Sequence, residues 1–171
     1  MELEIIIDIV KSLPGILIAA AVAYFFSQRR YTFEKLHDKK LLYIEEIFCR
    51  VVSLEKDLRK YVMTTGSMTY TSYLEDRKKE LKPIQDKFFE LQEYFWKKEI
   101  ILDQSSIDSI QSFIDTSIQI LSKLQASNVS TVLGDGKTSY EQWDDAYNTM
   151  QNKLVETKKE LKRNFREVIV K

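Results

Sequence analysis

The sequence predicts an all-α protein: a single N-terminal transmembrane helix followed by an up-down-up-down four-helix bundle with long helices. Few helix breakers occur, since the 171 residues include only four glycines and two prolines. Long segments with helical hydrophobic periodicity follow an uncharged apolar run near the N-terminus. These features divide the chain into an N-terminal tail and transmembrane helix at 1–28 and a soluble helical bundle at 29–171.

The apolar run predicts the membrane anchor. Residues 12–28 carry no charge, and the mostly apolar stretch 5–26 reaches the roughly 20 residues that cross a bilayer. Aromatic residues and the pair Arg29–Arg30 follow its apolar part, as is typical of a membrane interface. Acidic Glu2, Glu4 and Asp8 argue against a cleaved signal peptide. A buried helix of a soluble protein is the alternative.

The charges that flank this run predict the orientation. Arg29, Arg30, Lys35, Lys39 and Lys40 follow it, whereas Lys11 and the terminal amine precede it. By the positive-inside rule, the N-terminus lies outside and the C-terminal domain is cytoplasmic. The expected location is therefore the inner (cytoplasmic) membrane, with a single span.

A stripe of small residues marks one side of the predicted span. Gly15, Ala19, Ala23 and Ser27 recur at every fourth position, which places them on one helix face. Small residues allow helix backbones to approach closely. We interpret the stripe as a face for homo-oligomerisation, the alternative being the chance recurrence of common small residues.

Four amphipathic segments follow, and they predict helices at about 33–62, 72–99, 105–126 and 139–169. The first has a heptad seam that begins at Ile44 and Ile47 and ends at Tyr61. Capping patterns at Ser72, Asp103 and Ser139 mark helix starts. The stretches 63–71 and 127–139 are predicted loops. The heptad seam is compatible with closure within one chain or between chains.

An up-down-up-down order would give the bundle two different ends. A membrane-proximal basic collar would gather Arg29, Arg30, Lys35, Lys39, Lys158, Lys159, Lys162, Arg163 and Arg166, facing membrane lipid. Because Glu160 and Glu167 are interspersed, an ordinary solvated face is the alternative. The distal tip would hold both larger loops, and the sequence predicts that it contacts a protein partner through Met68, Tyr70, Val132 and Leu133.

No residue pattern supports catalysis, a cofactor or a metal site. His37 is the single histidine, so a second Glu-x-x-His unit of a di-iron bundle is impossible. Cys49 lies twelve residues from His37, about 18 Å along one helix, which is too far for a nucleophilic pair. Balanced charges, 26 basic and 26 acidic, argue against a nucleic-acid partner.

These observations favour a membrane-anchored helical interaction or scaffold protein of bacterial origin, without enzymatic activity. It would oligomerise through its transmembrane helix and present a cytoplasmic bundle to an unknown cytosolic protein partner. A narrower version is a small membrane effector or accessory of a stress or phage-response system. The alternative is a single-pass sensor or a phage-type envelope protein, with the helical bundle on the outer side of the membrane.

Overall fold

The computed structural model describes residues 2–65 and 74–170 of the chain, and nearly all of them are helical. The helices are α1 Glu2–Thr65, α2 Leu74–Lys98, α3 Gln104–Val132, α4 Gly136–Thr149 and α5 Val155–Val170. A 3₁₀ turn, Glu99–Ile101, follows α2, and one π-helical turn, Met150–Leu154, joins α4 to α5. Because this turn is continuous with both, residues 136–170 form a single fourth helix. No strand occurs in either described range, so the predicted all-α class is confirmed.

The chain divides into two compact units, Met1–Lys40 and Leu41–Lys171. The first unit consists of the N-terminal part of α1, and the second contains the remainder of α1 with the other helices. The domain boundary that the sequence places at residue 28 stays a prediction.

The predicted membrane anchor falls in the first unit, and here the structure corrects the sequence analysis. In neither described range does a helix combine the length and the apolar character needed to cross a membrane. The predicted single-pass location in the inner membrane, with the N-terminus outside, is therefore wrong.

The second unit is built around one apolar core to which every helix contributes. The predicted heptad positions of α1 are all buried: Ile44, Ile47, Val51, Leu54, Leu58 and Tyr61. Apolar positions of α2 from Leu81 onwards are buried as well: Leu81, Ile84, Phe88, Leu91 and Phe95. Apolar side chains at a spacing of three and four share one helix face, which is why these positions meet in the core. Pro83 lies within α2 and does not end it.

Contacts between helices of this unit pair residues in opposite order. Along α1 and α2, Glu46 contacts Tyr94 and Asp57 contacts Lys87. Along α3 and α4, the pairs run in the same opposed sense, from Ser127 with Ser139 to Lys123 with Asp145. These helix pairs are therefore antiparallel.

The stretch 127–139, predicted as a loop, is mostly helical, so that prediction is wrong. Helix α3 continues to Val132, and only three residues separate it from α4. The hydroxyl groups of this polar stretch find hydrogen-bond partners in the helices. Thr131 donates to the Ser127 carbonyl at 2.9 Å, and Ser127 donates to the Ser139 carbonyl at 2.8 Å. The turn needs Gly134, whose φ of 77° disfavours side chains.

The start of the fourth helix also differs from its prediction. Asp135 is the N-cap, and its carboxylate accepts the Thr138 amide at 3.0 Å. Hydrogen bonds from Thr138 lower the pKa of the Asp135 carboxyl. Ser139, the predicted cap, lies buried inside α4. The cap predicted at Asp103 is confirmed, since its carboxylate accepts the Ser106 amide at 3.3 Å.

Candidate functional site

The predicted association face lies on the first unit and is open to solvent. Gly15, Ala19, Ala23 and Ser27 are all exposed, and a methyl group added at Gly15 would meet no atom within 4 Å. The structure therefore keeps the stripe accessible, and its role in association stays a prediction.

Large apolar side chains next to this stripe are exposed as well. Between residues 17 and 36 they are Leu17, Ile18, Val22, Tyr24, Phe25, Phe26, Tyr31, Phe33 and Leu36. At 100° per residue they occupy an arc of about 220°, and the small residues fill most of the remainder. Ile18 is 66% and Phe33 72% exposed. We call residues 17–36 the N-terminal apolar surface.

Polar side chains on this surface interact within their own helix. The Arg29 guanidinium lies 5.3 Å from the Phe25 ring centre, and the Arg30 Nε donates to Glu34 at 2.8 Å. Thr32 donates to the Gln28 carbonyl at 3.0 Å. Local pairs of this kind moderate the charge on the polar part of the surface, and residues 17–27 contain no charge.

The predicted basic collar comprises residues from both units, and Lys158 stands apart from its other members. Lys158 contacts Glu55, a nearly buried carboxylate that also accepts from Arg59 at 3.3 Å. This lysine therefore forms an ion pair between α1 and α5 and is not part of an open basic surface. Lys159, Lys162, Arg163 and Arg166 are exposed along α5, as the prediction requires. Contact of the collar with lipid stays a prediction.

A groove between α1 and α5 is the most distinctive concave feature of the second unit. Its floor is apolar and consists of Leu41, Ile44, Phe48, Phe165 and Ile169. Its rims are charged, with Glu45 on α1 and with Lys162 and Arg166 on α5. The volume is about 370 Å³. We call this feature the α1–α5 groove.

A cluster of aromatic and charged side chains covers the contact between α1 and α2. Tyr94 donates its hydroxyl to Glu46 at 2.6 Å, while the Arg50 guanidinium lies 4.6 Å from the Tyr94 ring centre. Desolvation, together with the hydrogen bond to Glu46, raises the pKa of Tyr94 to about 12. The Tyr94 hydroxyl, followed by Arg50, lowers the pKa of Glu46. These groups satisfy one another, which is typical of a structural contact.

The second unit also has a polar groove between α3 and α5, lined by acidic residues that include Asp108, Asp115 and Glu156. Two of its acids accept local hydrogen bonds, since Gln111 donates to Asp115 and Gln104 donates to Asp108, both at 2.8 Å. Within the described ranges, no group of three or more metal-binding side chains is placed to hold an ion. The groove therefore offers no defined metal centre.

The predicted distal tip is described in part. Met68 and Tyr70 lie outside the described residues, whereas Val132 and Leu133 end α3 and are exposed. Tyr140 is exposed near the start of α4 and packs beside Trp143, with 6.2 Å between ring centres. An exposed apolar patch of this kind is compatible with the predicted partner contact, which stays a prediction.

Two residues were considered for chemistry, and neither lines the α1–α5 groove. Cys49 is exposed on α1, as its heptad position predicts. His37 belongs to the first unit and stacks on Phe33, with 6.5 Å between ring centres.

Sequence reasoning missed the α1–α5 groove. Two of its rim residues, Lys162 and Arg166, had been assigned to the predicted basic collar. The sequence did contain a local indication of the groove, because Lys162 and Arg166 flank the core position Phe165. With this geometry described, comparison with known proteins adds no assignment: the chain matches no protein family, no curated protein and no solved structure.

Proposed function

We propose that this protein is a helical interaction or scaffold protein that self-associates through its N-terminal apolar surface and presents an up-down-up-down four-helix bundle to a protein partner. The observation that carries the proposal is the exposure of nine large apolar side chains between residues 17 and 36. Soluble monomers rarely expose a continuous apolar surface of this extent.

Burial of these side chains would stabilise an assembly strongly. Each large apolar side chain moved from water into an interface contributes roughly 1.5–3 kcal/mol before entropy losses are subtracted. Residues 17–27 are uncharged, so identical copies do not repel one another along this stretch. A second copy of the chain is therefore the occupant that we propose.

The distribution of side-chain size supports an assembly of three or more copies. A helix that is apolar around nearly its whole circumference leaves much of its surface uncovered by a single neighbour. The bulky arc of one copy can pack on the small stripe of the next, which is a heterologous contact. Such contacts form closed rings when the rotation between copies permits closure.

Assembly through this helix would bring several bundles into one particle. A partner that engages more than one bundle would then gain effective concentration without any additional contact. Multivalent display is the biochemical role that we assign to the scaffold, and no catalytic step is required for it.

The test is the mass of the full-length protein, measured by size-exclusion chromatography with light scattering. We expect the wild-type chain to run as an oligomer, and Ile18→Glu combined with Phe25→Glu to shift it to a monomer with an unchanged helical circular-dichroism spectrum. Ile100→Glu is the matched control, because Ile100 is 93% exposed but lies in the second unit. A monomeric wild-type protein would refute self-association.

A second pair of substitutions tests the small-residue stripe. Ala19→Leu with Ala23→Leu should lower the oligomer mass or change the cross-linking pattern, because bulk at the stripe prevents close approach. An unchanged mass and cross-linking pattern would exclude the stripe from the interface between copies. The large apolar side chains would then be the sole contact.

A further inference from the structure

The α1–α5 groove combines an apolar floor with charges along both rims. Phe48 packs edge-on against Phe165, with 6.3 Å between ring centres, and together with Ile44 they close the bottom of the groove. Ile169 is 55% exposed and extends the apolar floor towards solvent. The volume, about 370 Å³, lies near the lower end of the range for ligand sites.

The charges of the groove are available to a partner. Lys162 and Arg166 are exposed, one helical turn apart, and neither forms an ion pair or hydrogen bond within the described residues. Glu45 stands on the facing rim and is likewise exposed without such a contact in the part of the chain described. An occupant with acidic groups towards α5 and a basic group towards α1 would complement the site.

The dimensions favour an elongated occupant. The lining residues span positions 41–48 on α1 and 162–169 on α5, about two helical turns or 10 Å on each. An amphipathic helix presents apolar side chains at i, i+3, i+4 and i+7 over this same distance. Charged residues on both flanks of its apolar stripe would then meet both rims. An acyl chain with one terminal charge would leave one of the rims unmatched.

We propose that the α1–α5 groove binds an acidic amphipathic helix of a partner protein. This inference rests on the proposed interaction function and defines the chemistry of its partner. The apolar stripe of the partner helix packs on Phe48, Phe165 and Ile169, while its carboxylates pair with Lys162 and Arg166. The groove, rather than the distal tip, is then the primary contact with this partner.

The test uses two fluorescent synthetic helices with the same leucine stripe, one with glutamate and one with lysine on the flank that faces α5. Fluorescence anisotropy with the full-length protein should show the glutamate helix binding about tenfold or more tightly than the lysine helix. Lys162→Glu with Arg166→Glu should reverse this preference. Equal binding of the two helices would overturn the proposal.

A matched control preserves the net charge of the test variant. Lys159→Glu with Arg163→Glu introduces the same charge change on exposed positions of α5 that do not line the groove. We expect this control to keep the preference for the glutamate helix. A reversal by the control would show that binding follows overall charge, and this outcome would contradict a defined groove.

The apolar floor is tested separately. Ile169→Asp alters an exposed position and should leave folding intact while weakening the glutamate helix about tenfold. Leu133→Asp at the distal tip should have no effect on this binding. Saturable binding of dodecanoate that Ile169→Asp abolishes, without binding of either helix, would identify an amphiphile site and overturn the proposal.

Failure of this inference can be distinguished from failure of self-association. The groove variants leave the N-terminal apolar surface unchanged, so their oligomer mass should equal that of the wild type. An oligomeric protein without charge-selective peptide binding would refute the groove alone. A monomeric protein that binds the glutamate helix selectively would instead refute self-association and retain the groove.

Discussion

At the scale of single residues, Tyr94 connects α2 to α1 through a hydrogen bond. Its hydroxyl donates to Glu46 at 2.6 Å, and burial together with this bond raises its pKa to about 12. The ordinary tyrosine pKa is about 10. The protonated form is therefore favoured by folding, and its contribution is complete below pH 10 and disappears as the pH rises to about 12.

We therefore expect Tyr94→Phe to lower the free energy of unfolding by about 0.5–1 kcal/mol at neutral pH. Between pH 10 and 12, the free energy of unfolding should also fall less for the variant than for the wild type. Denaturant unfolding at a series of pH values measures both effects. Tyr140→Phe is the control, since Tyr140 is exposed. Identical pH profiles for Tyr94→Phe and the wild type would contradict the assignment.

The ion pair of Glu55 gives a second prediction at this scale. Glu55 is nearly buried and contacts both Lys158 and Arg59. We expect Lys158→Ala to cost about 1–2 kcal/mol, because Arg59 retains part of the compensation and Lys158 is partly solvated. Lys159→Ala, one residue away and exposed, should change stability by less than about 0.5 kcal/mol. Equal effects in thermal unfolding would argue against the pair.

At the scale of the elements, the heptad positions of α1 that the sequence predicts are the positions that pack in the core. Leu54 is completely buried, whereas Leu42 on the same helix is 62% exposed. We expect Leu54→Ala to cost about 2–5 kcal/mol, the range for buried leucines, and Leu42→Ala to cost less than about 0.5 kcal/mol. Urea unfolding measures the difference. Similar costs at both positions would show that α1 does not pack through this seam.

The helices were predictable to the extent that apolar periodicity determines them. The seam from Ile44 to Tyr61 follows from spacing alone, and the cap at Asp103 follows from local chemistry. The loop prediction for 127–139 failed because Ser127 and Thr131 on α3 both bond to Ser139 on α4, and composition does not encode these tertiary contacts. The π turn at Met150–Leu154 leaves the apolar spacing intact and so gives no sequence signal.

The candidate site was less predictable than the helices. The α1–α5 groove depends on how far two helices diverge, and a single sequence contains no distance between them. The small stripe from Gly15 to Ser27 was visible from spacing, but the membrane span in which the sequence analysis placed it was wrong. Apolar composition indicates a surface that avoids water, and it does not distinguish lipid from another copy of the chain.

At the scale of the whole molecule, self-association should leave a signature in amide exchange. At high protein concentration, backbone amides of residues 17–36 should exchange more slowly than at low concentration, because the assembled helix frays less often. Amides in the core of the second unit, such as Leu54 and Phe95, should exchange at the same rate in both samples. Hydrogen–deuterium exchange with mass spectrometry measures this contrast, and protection that is independent of concentration would exclude assembly through this segment.

Labelling of Cys49 would allow the chains in one assembled particle to be counted. It is the sole cysteine of the chain and is exposed on the side of α1 away from the heptad seam. One dye per polypeptide can therefore be attached without altering the sequence. Each immobilised particle would then bleach in as many discrete steps as it contains chains, so single-particle fluorescence would report directly whether a particle consists of two, three or more protomers.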